Sequence, residues 1–120
     1  MWLWLDDVRP MPRGYHARAW TAEEAIQFIE TGNVSHISFD HDLGNEVEQT
    51  GYDVAKFIEE GAYFDALPYM TWEIHSDNGP GRVNIRRAME QADKYWHDHG
   101  APKPCGSDRY KGSASSDDRY

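Results

Sequence analysis

The stretch Ile37-Ser38-Phe39-Asp40-His41-Asp42 decides the fold, because a short apolar run typical of a buried strand ends directly in acid and imidazole. Two other stretches follow the same pattern, with Trp2-Leu3-Trp4-Leu5 before Asp6-Asp7 and Met70-Thr71-Trp72-Glu73-Ile74 before His75-Ser76. If the three runs are parallel strands of one sheet, their polar ends collect at its carboxyl edge, where open α/β sheets place ligand sites. Charged groups are rarely buried without a partner in a core. The pattern therefore indicates a crevice suited to a divalent cation and phosphate chemistry.

Length and composition indicate a single folded domain. The chain has 120 residues, of which 39% are hydrophobic, and a formal net charge of −9. That charge argues against broad binding to duplex DNA, which needs a cationic surface. Cys105 is the only cysteine, which excludes an intramolecular disulfide and a cysteine-based zinc cage. We find no secretory signal and no apolar run near the ~20 residues of a membrane span. We expect a cytoplasmic protein that binds neither duplex DNA nor membranes, with its oligomeric state left open.

Turn and capping residues divide the chain into the order β-β-α-β-α-β-α. Strands are predicted at residues 1–5, 15–20, 35–39 and 69–74. The first helix begins with a capping box from Thr21 to Glu24 and stops at Gly32, the second stops at Gly61, and the third stops at Gly100. Helices between strands favour crossovers in a mostly parallel four-stranded sheet. Residues 1–100 are predicted as the α/β domain and residues 101–120 as a poorly ordered or strap-like tail.

The acidic residues after the first and third strands are candidate metal ligands. Asp6 and Asp7 offer carboxylate oxygens to a hard cation, although one of them could equally cap the following turn. Asp40 and Asp42 share a face if the strand persists, with His41 between them. Such a run is costly in a core and ordinary in a solvated loop. Directly after a buried strand, it is predicted to lie at the mouth of a site.

Candidate groups for phosphate binding and proton transfer follow the fourth strand. His75 has an ordinary pKa range suited to acid–base catalysis near neutrality, the alternative being a core histidine. Ser76 and Asn78 open a helix whose first amides suit an anion, or they simply cap it. The guanidinium of Arg82 could bind phosphate oxygens or lie in solvent. Arg9, just after the acid pair, could neutralise a ligand phosphate or pair with the acid beside it.

Three motifs together resemble a response-regulator receiver domain. They are Leu5-Asp6-Asp7, Asp40 at the end of the third strand, and Thr50-Gly51-Tyr52-Asp53 before the second helix. By this resemblance Asp40 matches the phospho-accepting aspartate, and the acid pair matches the Mg²⁺-binding residues. The chain departs from ordinary receivers in lacking a helix between the first two strands and a fifth strand with a lysine. It also has His75-Ser76 where receivers have a small hydroxyl residue.

The whole pattern more closely resembles the cyclic-phosphate processing receiver-like family, through LWLDDVRPMP, ISFDHDLG, TGYDVAKFIE and IHSDN-x-x-GR. The resemblance covers roughly residues 2–96. It implies an α/β receiver-like (flavodoxin-like) fold, a reduced three-layer sandwich with helices on both faces of the sheet. It also implies a metal-dependent phosphoesterase that acts on a cyclic-phosphate nucleotide or RNA 3′ end, with Mg²⁺ or Mn²⁺ as its cofactor.

The resemblance assigns each candidate residue an expected role. Asp6, Asp7 and Asp40 would hold the metal. Proton transfer would fall to His75, His41 and Asp42, and phosphate binding to Arg9, Ser76, Asn78 and Arg82. Two alternatives stay open at this point. One is a non-catalytic module that binds or sequesters a nucleotide signal, and the other is a degenerate receiver that interacts with a protein partner.

Overall fold

The computed structural model describes residues 1–43 and 49–101, and in them the elements follow the predicted order. The strands are β1 (Trp2–Leu5), β2 (Ala17–Ala19), β3 (His36–Phe39) and β4 (Thr71–Ile74), and the helices are α1 (Ala22–Glu30), α2 (Gly51–Tyr63) and α3 (Gly79–Asp98). The second strand is shorter than its predicted span of residues 15–20. Apart from Ala101, the predicted tail lies outside the described residues.

All four strands are parallel and lie in the order β2-β1-β3-β4. Leu3 of β1 pairs with Ala17 on one side and with Ile37 on the other, and Ile37 pairs with Trp72 of β4. Because this register holds across the sheet, β1, β3 and β4 end side by side. The predicted α/β receiver-like fold, with a four-stranded parallel sheet and three helices, is confirmed.

The three helices form one layer on one face of the sheet. Helix α2 contacts both α1 and α3, which requires all three to lie on the same side of the strands. Alternate strand residues, among them Leu3, Ile37 and Trp72, point into the core formed with these helices. The expectation of helices on both faces is therefore wrong for the described residues. In the described part of the chain, a helix on the second face would have to come from the β1–β2 connection, where Pro10 and Pro12 oppose helix formation.

Among the described residues, side chains rather than a helix cover the second face of the sheet. Tyr15, from the β1–β2 connection, lies edge-on to Trp2 and Trp4, with ring centroids 5.3 Å apart in each pair. Its hydroxyl donates to Glu73, whose carboxylate also lies 3.5 Å from Nε2 of His36. His36 is the first residue of β3, one residue after the predicted start of that strand.

Helix ends follow the predicted capping chemistry with two differences. The Thr21 hydroxyl accepts from the Glu24 amide at 3.1 Å, as predicted, but the Glu24 carboxylate accepts from the amide of Trp20 instead of Thr21. The predicted stop at Gly61 is wrong, because α2 continues past it. A Cβ at Gly61 would run into the side chain of Leu67. This glycine therefore allows close packing instead of ending the helix.

Candidate metal and phosphate site

The ends of β1, β3 and β4 bring acid and imidazole together at the carboxyl edge of the sheet. Leu5 pairs with Phe39, and Phe39 pairs with Ile74, so the residues that follow them are neighbours. The Asp40 amide donates to the carbonyl of Leu5 at 3.0 Å, and the His75 amide donates to the carbonyl of Phe39 at 2.9 Å. The predicted convergence of the three strand ends is confirmed.

Asp6 is fully buried, and both of its carboxylate oxygens are hydrogen bonded. Oδ1 accepts from the amides of Val8 and Arg9, at 2.7 and 2.9 Å. Oδ2 accepts from Nη1 of Arg9 at 3.0 Å and from Nε2 of His75 at 2.8 Å. Burial alone would raise the pKa of Asp6, but the two amides and the two side-chain donors outweigh it and lower the pKa to about 2. Asp6 is therefore ionised at neutral pH.

Asp40 lies beside Asp6 and is far less well compensated. Its Oδ1 accepts from the His41 amide at 2.8 Å, and its Oδ2 lies 3.5 Å from Nη1 of Arg9. Burial and the neighbouring Asp6 carboxylate raise the pKa of Asp40. The backbone of Gly51 packs directly against the Asp40 carbonyl, and any Cβ at this position would collide with it. A cation at this point would relieve the repulsion between the two carboxylates.

The three predicted metal ligands fit a hard divalent cation. One carboxylate oxygen from each of Asp6, Asp7 and Asp40 lies within 4.8 Å of the others. Oδ1 of Asp7 is buried and has no hydrogen-bond partner among residues 1–43 and 49–101. Carboxylate oxygens are the ligands that Mg²⁺ and Mn²⁺ prefer. The acidic cluster therefore offers the kind of oxygen ligand that these cations prefer, and one of these oxygens is buried and not hydrogen bonded.

The guanidinium of Arg9, a predicted phosphate ligand, contacts acidic side chains of the site. Its Nη1 contacts Oδ2 of Asp6 and of Asp40, and its Nη2 lies 2.8 Å from Oδ2 of Asp77. The hydrogen bond to Asp6, followed by the charges of Asp40 and the contact with Asp77, raises the pKa of Arg9. The guanidinium thus compensates part of the negative charge of Asp6 and Asp40 in this structure.

His75 is held on three sides. Its ring stacks on the indole of Trp4, with centroids 3.9 Å apart and planes inclined by 6°. Nε2 contacts Oδ2 of Asp6, and Nδ1 lies 2.7 Å from the hydroxyl of Ser38. Because the Asp6 carboxylate can only accept, Nε2 carries a proton. Burial lowers the pKa of His75, and in the neutral ring Nδ1 accepts from Ser38.

The sequence reasoning missed the parts played by Trp4 and Ser38. Both lie on the second face of the sheet, one pairing across from the other in the β1–β3 register. The residue after β4 returns to that same face, which brings His75 to them. The period of two along a strand is the signal that could have identified them.

His41 and Asp42 form a separate pair at the mouth of the site. Nδ1 of His41 lies 2.8 Å from Oδ1 of Asp42. The amide nitrogen of Asn78 contacts the same carboxylate at 3.3 and 3.4 Å. Because the Asp42 carboxylate can only accept, Nδ1 carries the ring proton, and this hydrogen bond lowers the pKa of Asp42. Within the described ranges, Nε2 of His41 makes no hydrogen bond, and Gly81 lies against the ring.

Asp40 and Asp42 do not share a face, because the strand does not persist. Strand β3 ends at Phe39, so the backbone turns before Asp42. Asp40 is buried beside Asp6, whereas the side chain of Asp42 is 68% exposed. Of the three polar residues after β3, Asp40 therefore lies inside the sheet edge beside Asp6, whereas His41 and Asp42 pair with each other at its rim.

The remaining predicted phosphate ligands build the turn between β4 and α3. The Ser76 hydroxyl accepts from the amide of Asn78 at 3.1 Å, and Oδ1 of Asn78 accepts from the amide of Gly81 at 2.8 Å, which caps α3. Nη1 of Arg82 donates to the carbonyl of Ser76 at 3.0 Å. Their contact with phosphate stays a prediction, and in this structure they hold the turn that carries His75 and Asn78.

Acid should weaken the fold through Asp6. Its pKa falls from the ordinary 3.8 to about 2 on folding, so the ionised form stabilises the protein above pH ~4 and this contribution is lost toward pH ~2. The shift corresponds to about 2 kcal/mol. Asp6→Asn keeps an oxygen for the two amides but loses the charge. In urea titrations with EDTA, we expect wild type to lose about 2 kcal/mol more than Asp6→Asn on acidification. An equal loss would contradict the assigned compensation.

Comparison with known proteins identifies the family. Among the described residues, no helix is long and apolar enough to cross a membrane. No curated protein and no solved structure matches the chain. The family model of the cyclic-phosphate processing receiver domain matches residues 1–91, which include every candidate site residue. The chain therefore belongs to the cyclic-phosphate processing receiver domain family.

Proposed function

We propose that the protein is a metal-dependent phosphoesterase that opens a cyclic phosphate on a nucleotide or an RNA 3′ end. One observation carries this proposal. Three carboxylates with oxygens close enough to bind one cation lie at the same sheet edge as two histidine–carboxylate pairs. Membership of the family supports a cyclic phosphate as the substrate. The lone cysteine suits a reducing compartment, and we propose the cytoplasm as its location.

The acids require a cation before they can accept a phosphate, because like charges repel. Asp6, Asp7 and Asp40 would hold it through their carboxylate oxygens. When bound, Mg²⁺ or Mn²⁺ would polarise the phosphoryl group and lower the pKa of a nearby water molecule. The buried, unpartnered oxygen of Asp7 supports this assignment.

His41 is the general base in this proposal. Asp42 holds the Nδ1 proton, and Asn78 holds Asp42, so Nε2 presents its lone pair from a fixed ring. Nε2 takes one proton of the attacking water as the water oxygen bonds to phosphorus. The bond from phosphorus to one ribose oxygen breaks, and that oxygen gains a proton from solvent to become a hydroxyl.

His75 acts through Asp6 in this proposal. Its single ring proton is donated to Oδ2 of Asp6, and its other nitrogen accepts from Ser38. A neutral ring with both nitrogens engaged keeps the Asp6 carboxylate in place instead of exchanging protons with substrate. This differs from the prediction from the sequence, in which His75 shared proton transfer with His41 and Asp42. His75 is thus a positioning residue for the metal ligands.

A binding module without turnover is the second candidate function. It is favoured by the position of Arg9, which already compensates the acids that the enzyme would need for its metal. Signalling through a phosphorylated Asp40 is less well supported, since the described residues contain no fifth strand to supply the receiver lysine.

The test is incubation with a panel of cyclic phosphates in the presence of Mg²⁺, Mn²⁺ or EDTA. The panel contains 2′,3′-cyclic mononucleotides, an oligoribonucleotide with a cyclic-phosphate end, 3′,5′-cyclic mononucleotides and cyclic dinucleotides. We expect metal-dependent conversion of one class, detected by chromatography, and none in EDTA. Binding without conversion, seen as a raised melting temperature, would select the module. Conversion in EDTA would contradict the role of the metal.

A further inference from the structure

The guanidinium of Arg9 contacts two of the three acids that would hold a metal ion. Nη1 lies 3.0 Å from Oδ2 of Asp6 and 3.5 Å from Oδ2 of Asp40. These two oxygens belong to two of the three residues that together fit a divalent cation. A positively charged group therefore already bridges the acids.

The other oxygens of the two acids are committed to the backbone. Oδ1 of Asp6 accepts two amides, and Oδ1 of Asp40 accepts the amide of His41. A carboxylate oxygen has two lone pairs, and the two amides use both of those on Oδ1 of Asp6, so a metal bound by Asp6 would need the Oδ2 atom that Nη1 contacts. Two cations on the same oxygen would repel each other strongly in this buried position. Arginine and metal are alternatives for this oxygen.

We propose that Arg9 is the resident cation of the metal-free site, and that metal binding displaces its guanidinium onto the phosphate of the substrate. The phosphate half of this inference rests on the proposed function, and the exchange of cations does not. The side chain of Arg9 is 38% exposed, and among residues 1–43 and 49–101 its Nη2 contacts only Asp77, whose side chain is 93% exposed. The backbone amide of Arg9 remains on Asp6 while the side chain moves.

The exchange would couple the two ligands. Without metal, the positive charge of Arg9 is used to compensate Asp6 and Asp40. With metal in place, the same charge is released beside it, and a guanidinium fork matches two oxygens of a phosphate. Metal binding would then both add a cation and free a second one. Phosphate is expected to bind the metal-loaded protein far better than the metal-free protein.

Arg9→Gln tests the exchange by direct titration of Mn²⁺ alone, followed by electron paramagnetic resonance. Glutamine keeps the backbone amide and a neutral donor but removes the competing charge. We expect Mn²⁺ to bind the variant at least about tenfold more tightly than wild type. Arg13→Gln, an exposed arginine on the same connection, is the matched control and should leave the Mn²⁺ affinity unchanged.

The phosphate half is tested by titrating inorganic phosphate into the Mn²⁺-loaded proteins. We expect Arg9→Gln to bind phosphate at least about tenfold more weakly, although it binds Mn²⁺ more tightly. A purely structural role of Arg9 would not move the two affinities in opposite directions.

The Mn²⁺ and phosphate titrations together decide whether Arg9 and the metal exchange. Equal or weaker Mn²⁺ binding by Arg9→Gln would overturn it, whatever the cyclic-phosphate panel shows. Binding by the variant alone would support it. Absence of Mn²⁺ binding by both proteins would overturn the exchange and the metal-dependent function together. Tighter Mn²⁺ binding with unchanged phosphate affinity would overturn the phosphate half and leave the proposed function standing.

Discussion

Asp40→Asn is expected to abolish Mn²⁺ binding and to lower turnover of a cyclic phosphate at least about a thousandfold, which corresponds to roughly 4 kcal/mol of transition-state stabilisation. Asp40 supplies one of the three carboxylates that fit the cation. An amide of the same shape offers a weaker oxygen and carries no charge. The loss should therefore appear first in metal affinity and then in turnover.

The fold should survive this change, which makes the result interpretable. Burial and the charge of Asp6 raise the pKa of Asp40, so its ionised form destabilises the metal-free protein increasingly as the pH rises through that pKa. Asparagine removes this cost and keeps an oxygen for the His41 amide. It also gives up one long contact with Arg9. We expect the free energy of unfolding in EDTA at neutral pH to lie within about 1 kcal/mol of wild type.

The matched control for Asp40→Asn is Asp98→Asn, an exposed acid at the end of α3 far along the chain from the site. It removes the same charge and should change neither Mn²⁺ affinity nor turnover. Isothermal titration with Mn²⁺ and the chromatographic assay measure the two effects separately. Full turnover in a folded Asp40→Asn variant would exclude Asp40 as a metal ligand needed for the reaction.

The sequence was sufficient to predict the strands and the meeting of their ends. The apolar runs before Asp6, Asp40 and His75 are local signals, and parallel pairing then places those residues at one edge. The helix starts at Thr21 and Asn78 are also local, because a capping side chain contacts amides only two or three residues away.

Contacts between distant segments could not be predicted in the same way. The stacking of His75 on Trp4 depends on the register of three strands, and a change of one residue would move each side chain to the other face. The bridge from Arg9 to Asp40 depends on a turn that folds back over the sheet edge. The single helical layer depends on the absence of a helix in the β1–β2 connection, whose Tyr15 covers the second face instead.

Substitution of His41 by glutamine should lower turnover by about 10²- to 10⁴-fold while leaving Mn²⁺ affinity unchanged, because a general base contributes on that order to the rate. The ring of His41 contacts Asp42 and Asn78, and within the described residues it makes no hydrogen bond with Asp6 or Asp7. The variant would therefore keep the metal ligands and lose only the group that accepts the proton.

Asp42→Asn tests how much the orientation of the His41 ring contributes, because the imidazole itself is kept. The Asp42 carboxylate fixes the proton on Nδ1 of His41. An amide in its place would accept this hydrogen bond less strongly, and the substitution would also remove a negative charge beside the ring. We expect a smaller loss of turnover than for His41→Gln, with the acidic limb of the pH–rate profile shifted, because a general base is inactive once it is protonated. His97→Gln, at the exposed end of α3, is the matched control and should behave as wild type.

The two histidines can then be distinguished by which quantity each one changes. His75→Ala removes a hydrogen bond from Oδ2 of Asp6, so it should weaken Mn²⁺ binding together with turnover. His41→Gln should change turnover alone. If His41→Gln also lost Mn²⁺, the imidazole would belong to the metal site, and the proton would have to go elsewhere. If His75→Ala lost turnover at full Mn²⁺ affinity, the roles of the two rings would have to be exchanged.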